Sequence, residues 1–214
     1  MPAHQTAAAA AHCRRVRAHR RRRAHGLLYR AVFARNAGAG ALQEALEKLG
    51  ADVEQAVRNG VNIVVLSDRA GADEVPVPSL LAVSAVHNHL MRAGVRTFAD
   101  IVVECGDAVS AHDFAALVGY SASGIYPYRA HAVITDLAEK GDLTGADGSP
   151  ISAEAAIANY NRAACAGLVA IMSKMGISTA QSYHSAQIFE AVGLDEAFVN
   201  RYFSGTVSRV DGLG

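Results

Sequence analysis

Residues Met172 to Tyr183 read MSKMGISTAQSY. Lys174, Ser178 and Gln181 there gather an ammonium, a hydroxyl and an amide around Gly176, a composition suited to a substrate-holding loop. The same residues also admit a structural reading. Lys174 falls in the last turn of a helix, where the helix dipole favours a cation, and Gly176 ends that helix in a left-handed conformation. Ser178 or Thr179 then caps the next segment, with Gln181 placed to return its amide. These roles use every polar group in the stretch.

Other residues with chemical capacity are scattered. Asp68, Arg69, Glu104, Asp107, Tyr126 and Tyr128 follow short apolar runs that read as strands. In α/β sheets the carboxyl ends of strands are where ligands collect, so these six form the polar rim of any pocket. The bland reading is that Asp68 and Arg69 pair with neighbours or cap the next segment. His87 and His89 flank Asn88, but residues two apart on a helix point about 200° apart and cannot close on one ion. Cys105 and Cys165 have no cationic neighbour and read as small apolar fillers. Neither GxGxxG after a strand nor GxxxxGK[ST] occurs, so no phosphate cradle is indicated.

The elements that must position these groups are legible from periodicity. Leu42, Ala45, Leu46, Leu49, Val53, Ala56 and Val57 recur at three- and four-residue steps and predict a helix stopped by Asn59-Gly60. VNIVVLS (61–67) is a β-branched run of the kind buried in a parallel sheet. A loop, DRAGADEVPVP, leads to a Ser79 N-cap and the helix LLAVSAVHNHLMRA, ended by Gly94. A second strand spans 99–105, a helix covers AHDFAALVG, and SGIYPY (123–128) reads as a third short strand. Strands separated by such helices need crossovers, which predicts an α/β fold. The expected core is a parallel sheet of βαβ units, doubly wound or a partial TIM-like barrel. After a polar loop at 140–152 comes a long alanine-rich helix, then helical segments near 185–192 and 195–203. The carboxy-terminal third is therefore expected to be helical.

The formal net charge of zero conceals two unlike pieces. Residues 1–40 hold nine arginines and no acidic residue, which leaves eleven Lys/Arg against twenty Asp/Glu in 41–214. The basic piece suits a targeting segment or a nucleic-acid arm. Its composition suits better a GC-rich coding sequence read in a wrong frame or from a wrong start, and the segment is expected to be disordered or spurious. Its lack of serine and scarcity of aromatics weigh against targeting and nucleic-acid recognition. No apolar run approaches the roughly 20 residues of a membrane helix. The three cysteines, Cys13, Cys105 and Cys165, form no CxxC pair, so neither a disulfide framework nor a zinc or iron–sulfur cluster is suggested, which fits a reducing, cytoplasmic compartment.

NIVVLSDR, VPSLLAVSAVHNHLMRAGVRT, FAALVGYSASGIYPYRA, MSKMGISTAQSY, AQIFEAVGL and RYFSGTVSRVDGLG together resemble the central domain of the glutamate synthase large subunit. The likeness is collinear from about Ala41 to Gly214. It implies an oxidoreductase acting on CH–NH2 donors, serving glutamate biosynthesis and ammonia assimilation. In that family the central domain connects a glutaminase domain to an FMN-binding synthase domain carrying an iron–sulfur cluster. The resemblance therefore implies partners within one enzyme, no cofactor or catalytic residue in this stretch, and a truncated fragment inactive alone. Bare sheet edges in such a fragment imply self-association. An alternative is a flavin- or 2-oxoglutarate-binding domain using Lys174, Ser178 and Gln181. Two departures stand out: His184-Ser185 replaces the family's Arg-Gly, and Asn88 replaces a second histidine.

Overall fold

A computed structural model describes residues 24–38, 40–145 and 147–213. Its core is a parallel four-stranded sheet of β1 (Gly26–Arg30), β3 (Ile63–Ser67), β5 (Asp100–Glu104) and β6 (Gly124–Tyr126), in that spatial order. Helix α1 (Ala41–Arg58) joins β1 to β3, α2 (Ser79–Arg92) joins β3 to β5, and α3 (Ala111–Gly119) joins β5 to β6. The strands run in simple sequence order, without the reversal that defines a doubly wound sheet.

Register explains the burial. Leu27, Val64 and Ile101 lie side by side, as do Tyr29, Leu66, Val103 and Ile125, and these point toward the helices. Val64, Leu66, Ile101 and Val103 are fully buried against Leu46, Leu49 and Val53 of α1 and Val83, Val86 and Leu90 of α2. The opposite row, Leu28, Val65, Val102 and Gly124, faces away and is only partly covered. Right-handed crossovers between sequential strands place successive helices on one face, which accounts for the asymmetry.

The remaining elements surround this layer. β2 (Val32–Ala34) pairs antiparallel with β4 (Glu74–Pro76), so the expected loop 68–78 contains a strand, with Pro76 tolerated in a two-stranded ladder. Helix α4 (Tyr128–Glu139) follows β6, and the long α5 (Ala153–Lys174) packs on α3 and α4. α6 (Ala180–Tyr183) precedes β7 (Glu190–Leu194), α7 (Glu196–Tyr202) and β8 (Val207–Leu213).

Several expectations need correction. Residues 26–34, assigned with the basic arm, carry β1 and β2; the arginine tract through Arg23 lies outside the described residues. The carboxy-terminal third is not wholly helical, because β7 and β8 pair in parallel within it. The segment expected to be helical at 185–192 is loop and strand; the helix lies earlier, at α6. A short apolar run such as IFEAVGL fits either period, and pairing with β8 decides it. That pairing brings backbones very close: a Cβ on Gly212 would stand 2.1 Å from the Gly193 carbonyl oxygen. Ser79 is the first helical residue rather than the cap, which is Pro78. At α6 the cap is Thr179, whose hydroxyl accepts from the Ser182 amide, so Gln181 is not at the capping-box position.

Two packing details give measurable outcomes. α5 crosses α3 at Gly167, where a Cβ would lie 2.5 Å from that of Ala111. Alanine there gains about 1 kcal/mol of helix propensity but incurs about 1–3 kcal/mol of overpacking. Gly167→Ala is expected to lower the urea midpoint, with a net loss of about 1 kcal/mol. Tyr183, fully buried beside Ala115 and Met172, has a hydroxyl with no hydrogen-bond partner. Burial also pushes its phenol pKa up. Tyr183→Phe removes the unpaired group and is expected to stabilise the fold by about 1 kcal/mol in the same assay.

Candidate functional site at the carboxyl ends of the parallel strands

The loops leaving β3, β5 and β6 bring five of the six expected rim residues together, Tyr126 excepted. Ser67 and Asp68 end β3, and their side chains turn toward the neighbouring strand end. The Ser67 hydroxyl donates to Glu104 Oε2 at 2.6 Å, and Arg69 Nε donates to Glu104 Oε1 at 2.9 Å. The Arg69 guanidinium also lies over the Tyr128 ring, 3.8 Å from its centroid, a cation–π contact. Arg30, at the end of β1, donates to the Arg69 carbonyl and pairs with Glu74, which takes the Gly71 amide.

Asp68 is nine-tenths buried. Its Oδ2 accepts the Gly106 amide at 2.6 Å, while Oδ1 is buried without a hydrogen-bond partner. Asp107 reaches across the gap to accept the Ser79 amide at 2.8 Å, so the β5 loop supplies the cap that Pro78 cannot. Beside these loops lies an open cleft of about 410 Å³, lined by Asp68, Pro76, Val77, Pro78, Gly106, Asp107, Tyr128 and Arg129.

Electrostatics follow from these contacts. Burial opposes ionisation of Glu104, but the bonds from Ser67 and Arg69 outweigh it and hold the carboxyl below its usual range. The bond to Glu104 in turn raises the Arg69 guanidinium. Burial first, then the Asp68 charge, pushes the Tyr128 phenol up. Cys105 is buried and its thiol is pushed up to about 12 by desolvation and by nearby Asp107, which makes a thiolate there unavailable.

The two histidines diverge as their spacing requires. His89 Nε2 meets Glu54 of α1 at 2.8 Å, whereas His87 Nε2 meets the Ser185 hydroxyl at 3.2 Å. Arg96 Nε donates to His87 Nδ1 at 2.9 Å, which places the imidazole proton on Nε2, directed at Ser185. An imidazole so held does not accept a proton from that serine. Ser185 itself sits at φ 59°, where a glycine would be unstrained, and its hydroxyl also bonds Ser121, at φ 79°. Asn88 donates to the Ser84 and Tyr202 carbonyls, tying α2 to α7.

Lys174, Ser178 and Gln181 are all exposed, around the turn between α5 and α6. None of them lines the cleft. Of the six rim residues named from sequence, Asp68, Asp107 and Tyr128 line the cleft, Arg69 and Glu104 bond each other beside it, and Tyr126 stands outside it, edge-on to His131; Ser67, Gly106, Arg129 and Pro76–Pro78 were missed. The only sequence signal for the last group was its position after strands. Among the described residues no group of three His, Cys, Asp or Glu could hold a metal ion, and no helix is long and apolar enough to cross a membrane.

Comparison with known proteins is consistent along most of the chain. Residues 6–195 match the model of the glutamate synthase central domain. The chain is 45% identical over 173 residues to the glutamate synthase [NADPH] large chain of Bacillus subtilis, covering 80% of this chain and 11% of that one. It is 38% identical over 183 residues to glutamate synthase [NADH] of Schizosaccharomyces pombe, covering 85% of this chain and 8% of the relative. For the ferredoxin-dependent glutamate synthase of Pyropia yezoensis the identity is 42%, over 80% of this chain and 12% of the relative. The chain thus spans about a tenth of the length of these relatives, and it belongs to the glutamate synthase central domain family.

Proposed function

We propose that this chain acts as the connecting domain of a glutamate synthase, holding a glutaminase domain and an FMN-binding synthase domain at fixed separation. Its place is then in glutamate biosynthesis and ammonia assimilation, with no turnover of its own. The observation that carries the reading is the fate of the polar groups at the strand ends. Arg69, Glu104 and Ser67 bond one another, and Asp107 caps α2, so these charges fix loops rather than face a reactant. A rigid sheet with tied loops suits a spacer.

The described residues do not suit the family's cofactors. Cys105 is buried with its thiol raised, and Cys165 lies exposed on α5, an arrangement unlike a cluster-binding set. Lys174, Ser178 and Gln181 are exposed around a turn and do not line the cleft, an arrangement that does not favour enclosing an isoalloxazine ring or a 2-oxoacid. Exposed Leu27 and Leu28 on edge strand β1, with Val192 and Leu213 on β7 and β8, are surfaces for neighbouring domains or for self-association. Strands in sequence order with helices on one face are also what a barrel segment requires, so a partial barrel completed by other parts of the enzyme belongs to this reading. A cytoplasmic setting fits Cys105 and Cys165, which form no disulfide.

Grafting supplies the test. A Bacillus subtilis large chain whose matched section is replaced by residues 6–195 of this protein is expected to retain glutamine-dependent glutamate formation. The isolated 214-residue chain is expected to leave FMN absorbance and fluorescence unchanged on titration. Stoichiometric FMN binding by the chain alone, or an inactive but folded and cofactor-loaded graft, would overturn the spacer role.

A further inference from the structure

Among the described residues, left-handed backbone outside glycine is concentrated in one place. Ser185 (φ 59°) and Gln187 (φ 51°) lie in the loop 184–189 between α6 and β7, and Ser121 (φ 79°), just beyond α3, bonds the first of them. Such conformations are uncommon for residues with a Cβ and persist only where surrounding contacts hold them. The loop is strapped across α2 and the end of α3. The Ser185 amide donates to the Gly119 carbonyl at 2.8 Å, and its hydroxyl meets Ser121 Oγ at 2.6 Å and His87 Nε2 at 3.2 Å. At the far end of the loop Phe189 stacks on Tyr120, 5.6 Å between centroids, and lies so near Gly119 that a Cβ there would stand 2.4 Å from its ring. Ile188 and Phe189 thereby pack against the small apolar cluster of Ala115, Met172 and Tyr183.

His87 is the fastening that can change. Arg96 Nε donates to His87 Nδ1 at 2.9 Å, so Nδ1 is an acceptor and the ring proton is on Nε2, given to Ser185. The guanidinium has no freedom to turn away, because its other nitrogens donate to the Ala99 and Ser121 carbonyls. A second proton on the ring would set donor against donor and cation against cation at Nδ1. The surroundings offer no compensation. The charges acting on the ring are Arg96, on the 3-10 turn 96–98, and His184, on the loop itself; Asp100, at the start of β5, acts on Arg96, and His89, on the same helix, is committed to Glu54 of α1.

We propose that the loop 184–189 is an acid-operated strap: a proton taken from solvent at His87 Nδ1 drives the imidazolium off Arg96, breaks its bond to Ser185, and frees the loop from α2 and α3, uncovering Tyr183, Ile188 and Phe189. Release also lets Ser185 and Gln187 leave their left-handed conformations. Burial, then Arg96 and His184, lower the ring's pKa from 6.5 to about 4 while the strap is closed. The released form takes the proton more readily, so the strap is closed above about pH 6.5 and release gains as pH falls toward 4. The inference goes beyond the connecting role, and its failure would leave that role standing.

Hydrogen exchange of the full chain at pH 7 and pH 5, read by mass spectrometry and corrected for the intrinsic pH dependence of exchange, tests it. Protection of the segment 183–189, which includes the Ser185 amide, is expected to fall about tenfold at pH 5, while the β5 segment 100–104 keeps its protection. His87→Gln is expected to reduce the pH response of the loop to less than about twofold. Ser185→Gly suits φ 59° and removes only the hydroxyl contact, so it decides the matter if His87→Gln does not fold; the same flattening is expected. Equal loop protection at the two pH values, parallel loss from the β5 segment, or an undiminished pH response in the variant that decides would each overturn the proposal.

Discussion

Replacing Ile101 with alanine is expected to lower the unfolding free energy by about 3–4 kcal/mol, the largest effect of any single substitution discussed for this protein. Ile101 has no exposed surface and lies in β5, between β3 and β6. Its neighbours in register are Val64 on β3 and, through it, Leu27 on β1. Truncation removes apolar contact on the helix-covered face, where side chains of α1, α2 and α3 meet, and the paired backbones on both sides limit collapse into the gap. Valine at the same position should cost only about 1 kcal/mol. Urea unfolding of the two variants separates a cavity effect from a general sensitivity of the strand; equal losses would contradict the packing described.

The second large effect is acid sensitivity centred on His87. Burial, the adjacent Arg96 charge and nearby His184 lower its pKa from 6.5 to about 4. Between those values the unfolded chain binds the proton and the folded one does not. Stability is therefore fully present above about pH 6.5 and is lost as pH falls toward 4. Allowing for partial exposure, the loss is on the order of 2 kcal/mol. Protonation at Nδ1 would set an imidazolium against Arg96, itself half-buried and held by the Ala99 and Ser121 carbonyls. Carboxylates with lowered pKa, such as Glu54, Glu104 and Asp113, add their own acid dependence at lower pH. Comparison with His87→Gln isolates the histidine: the wild-type protein should lose more stability than the variant between pH 7 and about pH 4.5. Parallel curves would place the acid sensitivity elsewhere.

Much of the central layer was legible in the sequence because its periodicity and its stop signals agree. α1 buries Leu46, Leu49, Val53, Ala56 and Val57, the stripe that periodicity picks out, and Gly60 follows at φ 97°. β3, α2, β5, α3 and β6 also fall where periodicity puts them. β1 was hidden by its surroundings: GLLYR sits beside an arginine tract, and its strand character comes from pairing Gly26–Arg30 with Ile63–Ser67. α4 was missed because YRAHAVITDLAE mixes β-branched and polar residues without a clean stripe, and Ala130 is its one buried residue.

The candidate site divides in the same way. Position after a strand was enough to name Asp68, Arg69, Glu104, Asp107 and Tyr128, because a parallel strand's end is fixed by local pattern. Which of them bond one another, and which is left with an unpaired oxygen, depends on loops that approach from residues 37–38 positions apart. Strain was equally invisible: Ser121, Ser185 and Gln187 hold positive φ without being glycine.

The sequence by itself therefore determined the βαβ order, the buried stripes and the family, since each is written in short-range periodicity or in contiguous blocks of residues. Tertiary structure alone decided that β1, β7 and β8 are strands, that His87 faces Arg96 and Ser185, and that Asp68 lines a cleft. The physical reason is that hydrogen-bond pairing and desolvation depend on what arrives from distant parts of the chain, and no local pattern encodes that arrival.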